Sequence, residues 1–151
     1  MDGNFKQLLD IQDIKNFVFG GNSTVTLESA RTGKWFTFKV RKSKKDDENS
    51  PFFVSVFSGT DNFANYSYVG VISGDKKIFK LTQKSKVSSD ALSYKAFNFF
   101  FVQLVNGKIH EDLRVYHSGK CGRCGRKLTT PDSINRGIGP ECTKINKKTT
   151  Q

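Results

Sequence analysis

The sequence is poor in residues that cross-link a chain and has no long apolar run. It contains three cysteines, three prolines and two histidines among 151 residues. The uncharged stretch Ala96–Gly107 has twelve residues and none exceeds thirteen, whereas a membrane-spanning helix needs about twenty. The first residues also lack the basic and apolar regions of a signal peptide. We therefore expect a protein that works in a cytosol and has no membrane partner.

Apolar residues are also scarce, at 36% of the chain, which is low for a globular domain. Fourteen phenylalanines, four tyrosines and one tryptophan compensate, because large rings fill a core with few residues. A chain of this length can bury such a core without disulfides. The composition predicts one globular domain, alone or with a small appendage.

Hydrophobic periodicity predicts an α+β fold of about five antiparallel strands with a short helix over residues 5–17 and a longer one over Ala91–Val105. The long helix is apolar nearly all round, so we expect it to be sandwiched against the sheet. The strands are expected as a hairpin around Arg31-Thr32-Gly33, a strand at Phe52–Phe57, and a second hairpin of Tyr66–Ile72 with Lys77–Leu81. Three units are expected along the chain, namely an α+β domain at 1–110, a zinc-knuckle module at 111–144 and a basic tail at 145–151.

The three cysteines cluster near the end of the chain, in the pattern His117-x3-Cys121-x2-Cys124-x17-Cys142. Zinc prefers four tetrahedral nitrogen and sulfur ligands, and a Cys-x-x-Cys pair brings two thiolates onto one ion from a tight turn. An odd number of cysteines in a reducing cytosol argues against a disulfide framework. The pattern predicts one zinc ion held by His117, Cys121, Cys124 and Cys142, with no open position for catalysis and hence a structural role.

Two alternatives stay open for these residues. Cys121 and Cys124 would form a redox pair, with the third cysteine a buried thiol, although Gly125-Arg126-Lys127 does not resemble the helix start that follows redox pairs. His110 is the rival of His117 as fourth ligand, but it precedes two acids and is typical of a surface residue.

The segment before Cys142 is suited to return the chain to the metal. Thr130 is a good helix N-cap, and Pro131 favours the first helical position. Gly137 is a typical C-cap residue. We therefore predict a short helix that delivers Cys142 to the other ligands.

Residues 117–142 carry a specific set of motifs: Cys-Gly-Arg-Cys-Gly-Arg, then Leu-Thr-x-Pro-x-Ser, then Gly-Ile-Gly-Pro-x-Cys. In this order they resemble the zinc-knuckle-like domain of a family of unknown function, found largely in bacteriophage and mobile-element proteins. The resemblance implies a phage protein in the host bacterial cytoplasm and implies no established activity.

Net charge is +11, and residues 117–151 hold +6 of it, from eight lysines and arginines against two acids. A basic surface indicates an anionic partner such as DNA or RNA, although solubility alone is the simpler explanation. Strand aromatics with basic neighbours favour base stacking, chiefly by the tryptophan. The predicted nucleic-acid contacts are Arg123, Arg126, Lys127, Arg136, Lys144, Lys147 and Trp35.

No catalytic motif stands in the sequence, so we do not expect an enzyme. The first hypothesis is a phage-encoded, non-enzymatic nucleic-acid-binding protein with a structural zinc, acting in phage genome metabolism or in interference with host processes. The alternative is a protein-interaction module that inhibits or redirects a host protein, such as a defence protein, or joins a phage complex. Its motivation is the phenylalanine-rich helix, which would leave an exposed apolar patch.

Overall fold

The computed structural model describes residues 6–44, 49–58, 65–128 and 130–139. Seven strands and three helices follow one another in this part of the chain. In chain order they are β1 (Lys6–Leu8), α1 (Ile11–Val18), β2 (Asn22–Ser29), β3 (Trp35–Lys42), β4 (Phe52–Phe57), β5 (Tyr66–Ile72), β6 (Phe79–Lys80), α2 (Leu92–Asn106), β7 (Leu113–His117) and α3 (Pro131–Arg136).

The strands form one antiparallel sheet in the order β1-β7-β2-β3-β4-β5-β6. The α+β class, both hairpins and the strand between them are confirmed, but the number of about five strands is wrong, since β1 and β7 are additional. These two strands pair Leu8 with Val115, from opposite ends of the described chain. Such distant pairing leaves no local turn signal, which is why the sequence pattern did not reveal it.

The amino-terminal helix is shorter than predicted. The expectation of a helix over residues 5–17 is wrong at its start, because Lys6–Leu8 is a strand and the helix begins at Ile11. Asp10 is the N-cap, and its carboxylate accepts the backbone N–H of Asp13 at 3.1 Å. A side-chain cap of this kind satisfies an amide that the first helical turn leaves unpaired.

The longer helix is confirmed by α2, which ends at Gly107 in a left-handed conformation (φ +83°). On its buried side, the Phe97 ring lies 5.0 Å from the Phe38 ring of β3 and 4.9 Å from the Phe79 ring of β6, between centroids. The expectation of a sandwiched helix holds for that side only, because the sheet covers one side of α2. The other side exposes between 48% and 58% of Leu92, Phe99, Val102 and Val105.

The sheet has two unlike faces, because side chains alternate along each strand. On the inner face, Phe38 and Val40 are fully buried in one apolar cluster with side chains of α1 and α2. On the opposite face, which we call the outer face, Trp35 is 46% exposed and Arg41 is exposed. Among the described residues, each of the three helices contacts the inner face, through Phe17, Phe97 and Ile134.

Candidate zinc knuckle and nucleic-acid interface

The Cys-x-x-Cys segment folds into a compact turn, which we call the knuckle (residues 119–128). An antiparallel bridge joins Lys120 to Lys127. The N–H of Cys121 donates to the carbonyl of Arg126 at 2.8 Å. Gly125 completes the turn with a φ of +77°, a conformation that glycine adopts without a steric penalty. Cys121 and Cys124 are thereby held on the same turn.

The sulfur of Cys121 is surrounded by backbone N–H groups. It accepts hydrogen bonds from the amides of Arg123 at 3.4 Å and of Gly139 at 3.3 Å. Burial raises the pKa of the Cys121 thiol, but N–H donation from Gly139, Cys124 and Arg123 outweighs it, so the pKa lies below its ordinary value. A pocket of amide donors that favours thiolate is the electrostatic environment a sulfur ligand of zinc needs.

Helix α3 forms as predicted and returns the chain to this sulfur. Thr130 is its N-cap in a capping box with Ser133, and Gly137 ends it with a φ of +74°. Gly139 then lies against Cys121 through the N–H to sulfur contact. The chain therefore passes beside Cys121 three residues before Cys142, and Cys142 itself lies outside the described residues.

The predicted histidine ligand, His117, is fully buried at the end of β7. Its Nδ1 accepts the N–H of Gly119 at 2.9 Å, so the proton is on Nε2, which donates to the carbonyl of Ile134. Burial lowers the pKa of His117 below its ordinary value, which keeps this neutral tautomer at neutral pH. Both ring nitrogens thus have backbone partners in this arrangement.

No three of the described His, Cys, Asp and Glu side chains converge closely enough to hold a metal ion. His110 lies far from the knuckle: it follows α2 and faces the end of β2 near Ser29, whereas the knuckle contacts Asn22 at the start of that strand. A strand of this length separates its ends by about 20 Å. His110 and the knuckle cysteines therefore cannot share one ion in this fold.

The knuckle is fastened to the domain through glycine. The N–H of Asn22 donates to the carbonyl of Gly122 at 2.9 Å, and the N–H of Gly122 donates to Gly137 at 2.9 Å. A Cβ on Gly122 would lie 2.5 Å from the carbonyl oxygen of Phe17. Because only a glycine leaves room for this approach, Gly122 decides how closely the knuckle packs on α1.

The basic residues predicted from the sequence lie in different elements. Lys127 and Arg126 are exposed on the knuckle. Arg136 lies on α3, where its Nε is 3.4 Å from the carboxylate of Asp132. Arg123 is half-buried beside Cys121. Lys144 and Lys147 lie outside the described residues.

A basic cluster forms where the knuckle meets the outer face of the sheet. Burial lowers the pKa of Lys39 below its ordinary value, and the neighbouring charges of Arg41 and Lys120 lower it further. Lys127 joins this cluster, because residues paired in an antiparallel bridge place their side chains next to each other. Lys120 was not among the predicted contacts, and Lys39 and Arg41 were expected only as basic neighbours of the strand aromatics, because only the fold brings strand β3 and the knuckle together.

Aromatic rings lie beside this basic cluster. The Nζ of Lys39 is 4.2 Å from the centre of the Tyr66 ring. The rings of Phe53 and Tyr68 are 6.4 Å apart, and 43% of Phe53 is exposed. We call the set of Lys39, Arg41, Lys120, Phe53, Tyr66 and Tyr68 the outer-face patch.

Trp35 shares the outer face but not the patch. It begins β3 opposite Glu28, whereas Arg41 is near the other end of the same strand, opposite Asn22. Six residues of strand separate the two side chains by about 20 Å. The aromatic rings of the outer face are therefore grouped most closely around Phe53 and Tyr68, and not around Trp35, where a stacking platform was expected.

Residues 112–146 match a family model described as Family of unknown function (DUF6011). The match confirms the resemblance to a family of unknown function over β7, the knuckle and α3. No curated protein and no solved structure matches the chain. In the part of the chain that the structure describes, no helix combines the length and apolar character needed to cross a membrane.

Proposed function

We propose that this protein is a non-enzymatic nucleic-acid-binding protein that holds single-stranded DNA or RNA on the outer-face patch. The observation that supports this most directly is the meeting of Lys39, Arg41 and Lys120 beside the half-buried Tyr66 ring and the exposed Phe53 ring. Burial and the charges of Arg41 and Lys120 disfavour the charged form of Lys39, and a bound polyanion would stabilise all three cations. Phosphate contacts of this kind dominate nucleic-acid affinity. Flat rings such as Phe53 offer stacking surfaces that every base can use.

An open sheet face favours single strands over a duplex. Bases stack on protein rings only when they are splayed out, which a duplex prevents. A shallow concavity lined by Phe53, Tyr68 and Lys84 supports this preference, because it offers room for a base beside the two rings. In the phage setting that the resemblance implies, a protein of this kind would act in genome metabolism or interfere with host nucleic-acid processes.

The test is fluorescence anisotropy with labelled oligo-dT, a mixed-sequence RNA strand and a DNA duplex, over a range of salt. We expect the single strands to bind more tightly than the duplex. The double variant Arg41→Gln, Lys120→Gln should weaken binding and reduce the salt slope by about 0.7 for each lost phosphate contact. Lys108→Gln, an exposed lysine after α2, is the matched control. No binding of any of these probes at low salt would refute the proposal.

The aromatic part has its own readout. Phe53→Thr keeps a strand-forming residue and should cost about 1–3 kcal/mol of binding free energy if a base stacks there. Trp35 is the chain's single tryptophan. Quenching of its fluorescence by oligo-dT would show that the strand extends along β3 to the predicted contact, whereas binding without quenching would confine the interface to the outer-face patch.

We further propose that one structural zinc ion clamps the knuckle, held by Cys121, Cys124, Cys142 and His117. The amide-lined sulfur of Cys121 and the return of the chain at Gly139 support it. His117 fits this role through Nδ1, because its Nε2–H already donates to a backbone carbonyl, as zinc-bound histidines commonly do. Binding through Nδ1 requires that the Gly119 N–H be displaced.

Elemental analysis should find one zinc per chain, and Cys121→Ser or Cys124→Ser should lower it. Cobalt substitution counts the thiolate ligands, since charge-transfer absorption grows with each sulfur bound. His117→Asn should lower metal affinity and His110→Asn should not, because His110 is about a strand length away. A metal-free chain whose knuckle is fully protected from hydrogen exchange would contradict the zinc proposal.

A further inference from the structure

A second concave surface lies on the side of the molecule away from the knuckle. A cleft of about 570 Å³ opens between the first half of α2 and the turn that joins β2 to β3. Its floor is apolar, with Leu27, Phe36 and Leu113 from three strands of the inner face. Leu92 and Phe99 form its wall on α2. We call this surface the α2 cleft.

The apolar surface continues beyond the cleft along the helix. Phe99 is 50% exposed, and Val102 and Val105, one and two turns further on, are each 48% exposed. Leu92 and Phe99 lie two turns apart on the same side of the helix, about 10 Å along its axis, and Val102 and Val105 lie progressively further round it. Together with the floor of the cleft, this surface is large enough for several residues of a polypeptide. Soluble proteins rarely leave large apolar patches bare unless they bind a partner.

The rim of the α2 cleft is basic. Arg31 and Lys34 approach from the β2–β3 turn and Lys95 from α2, all exposed. Two acids also line the cleft, but the carboxylate of Glu28 already lies 3.4 Å from the guanidinium of Arg114 and accepts the Tyr116 hydroxyl at 3.2 Å. With Glu28 already paired, Asp112 is the remaining carboxylate in a lining that also carries the three cations Arg31, Lys34 and Lys95. The charge of the cleft therefore favours an acidic occupant.

We propose that the α2 cleft docks an acidic amphipathic segment of a partner protein, with apolar side chains against Leu92 and Phe99 and carboxylates against Arg31, Lys34 and Lys95. A second copy of this chain is a poorer occupant, because it would bring the same three cations to the contact. Residues 143–151 of the chain are also a poor match, since they carry three lysines and no acid. The site is separate from the outer-face patch and does not depend on nucleic-acid binding.

The experiment uses the full chain and a labelled fifteen-residue helical peptide with leucines at every third and fourth position and glutamates flanking them. Two matched peptides replace the glutamates with glutamine or with lysine. In fluorescence anisotropy, the glutamate peptide should bind about tenfold more tightly than the glutamine peptide, and the lysine peptide should not bind. Equal binding of all three peptides, or none of the glutamate peptide, would overturn the proposal.

Variants locate the contact. Phe99→Gln and Lys95→Glu change exposed positions of α2 and should each weaken binding of the glutamate peptide by about tenfold or more. Lys80→Glu, an exposed lysine on β6, should leave it unchanged. Binding that survives both α2 variants would also overturn the proposal, as would dimerisation in sedimentation that Phe99→Gln abolishes. Neither α2 variant should change oligo-dT binding, so the proposed function is tested separately.

Discussion

The sheet with its helices and the knuckle differ most in what holds them together. Nineteen buried apolar side chains form one cluster under α1 and α2, with seven of the fourteen phenylalanines among them. Where the knuckle meets the segment after α3, the buried apolar cluster has three members, Cys121, Leu128 and Ile138. Burial of an apolar side chain contributes about 1.5–3 kcal/mol, so the large cluster can offset chain entropy while the small one cannot do so alone.

This difference explains why close backbone contacts hold the knuckle to the rest of the domain, and it supports the proposed metal clamp. Small units with little core depend on metals, disulfides or docking onto a larger body. Here Gly122 of the knuckle packs against Phe17 of α1, and the knuckle follows directly after β7 of the sheet. We therefore expect changes in the large core to unfold the whole chain and changes in the knuckle to loosen one end.

The largest effect should come from the core. Phe97→Ala removes a fully buried ring that contacts Phe38, Phe79 and Phe100, and should cost about 3–5 kcal/mol in the free energy of unfolding. Phe99→Ala, on the exposed side of the same helix, should cost less than about 1 kcal/mol. Urea unfolding followed by circular dichroism measures both. Similar losses in the two variants would show that α2 does not pack as described.

A change at the junction should affect the knuckle more than the core. Gly122→Ala places a methyl group 2.5 Å from the Phe17 carbonyl oxygen, and overpacking of this kind costs about 1–3 kcal/mol. Relative to the unchanged protein, amide hydrogen exchange in Gly122→Ala should accelerate more in the knuckle than in β3 or β4. Gly33→Ala is the control, because its Cβ would meet nothing within 4 Å and only its φ of +74° is unfavourable. If the knuckle amides exchange at the same rate in Gly122→Ala, the stability of the knuckle does not depend on its contact with α1.

A smaller effect is expected at the α3 cap. The Thr130 hydroxyl accepts the Ser133 N–H at 3.3 Å and donates to the Ser133 hydroxyl at 2.8 Å. Thr130→Ala removes both bonds and should destabilise α3 by about 1 kcal/mol. Exchange of the Gly139 amide, which donates to Cys121, reports the loss. Thr130→Ser should retain protection, and a loss in both variants would rule out the cap as the cause.

The smallest effect is a pH dependence of the metal-free protein. Burial holds the pKa of His117 below its ordinary 6.5, so the unfolded chain takes up a proton that the folded chain does not. Stability should therefore be full above about pH 6.5 and decline as the pH falls below it, because the unfolded state binds more protons there. Urea midpoints in the presence of a chelator measure the decline. It should vanish in His117→Gln and persist in His110→Asn.

Elements built from local pattern were predictable. The alternation of Phe36, Phe38 and Val40, the Asn106-Gly107 end of α2 and the Thr130-Pro131 start of α3 all depend on neighbouring residues. β1 was not predictable in this way. The periodicity of its three residues favours a helix, but pairing with β7, a distant part of the chain, makes them a strand.

The candidate sites divide along the same line. Ligand types and spacing nominate Cys121 and Cys124 without any fold, because two sulfurs two residues apart share a turn. The partners of His117 are a carbonyl of α3 and an amide of the knuckle. They could not be predicted from the sequence, because they depend on how α3 packs against β7. Arg136 differs, because its pairing with Asp132 is an i,i+4 contact that α3 alone supplies.

The sequence by itself determined the α+β class, the phenylalanine-rich core and the cysteine turn, because periodicity, ring size and ligand spacing act within a few residues. Only the tertiary structure decided which charges meet. Lys39 and Arg41 come beside Lys120 because β3 ends where the knuckle docks on Asn22. Coulomb interactions depend on distance in space, and the sheet sets that distance independently of position along the chain.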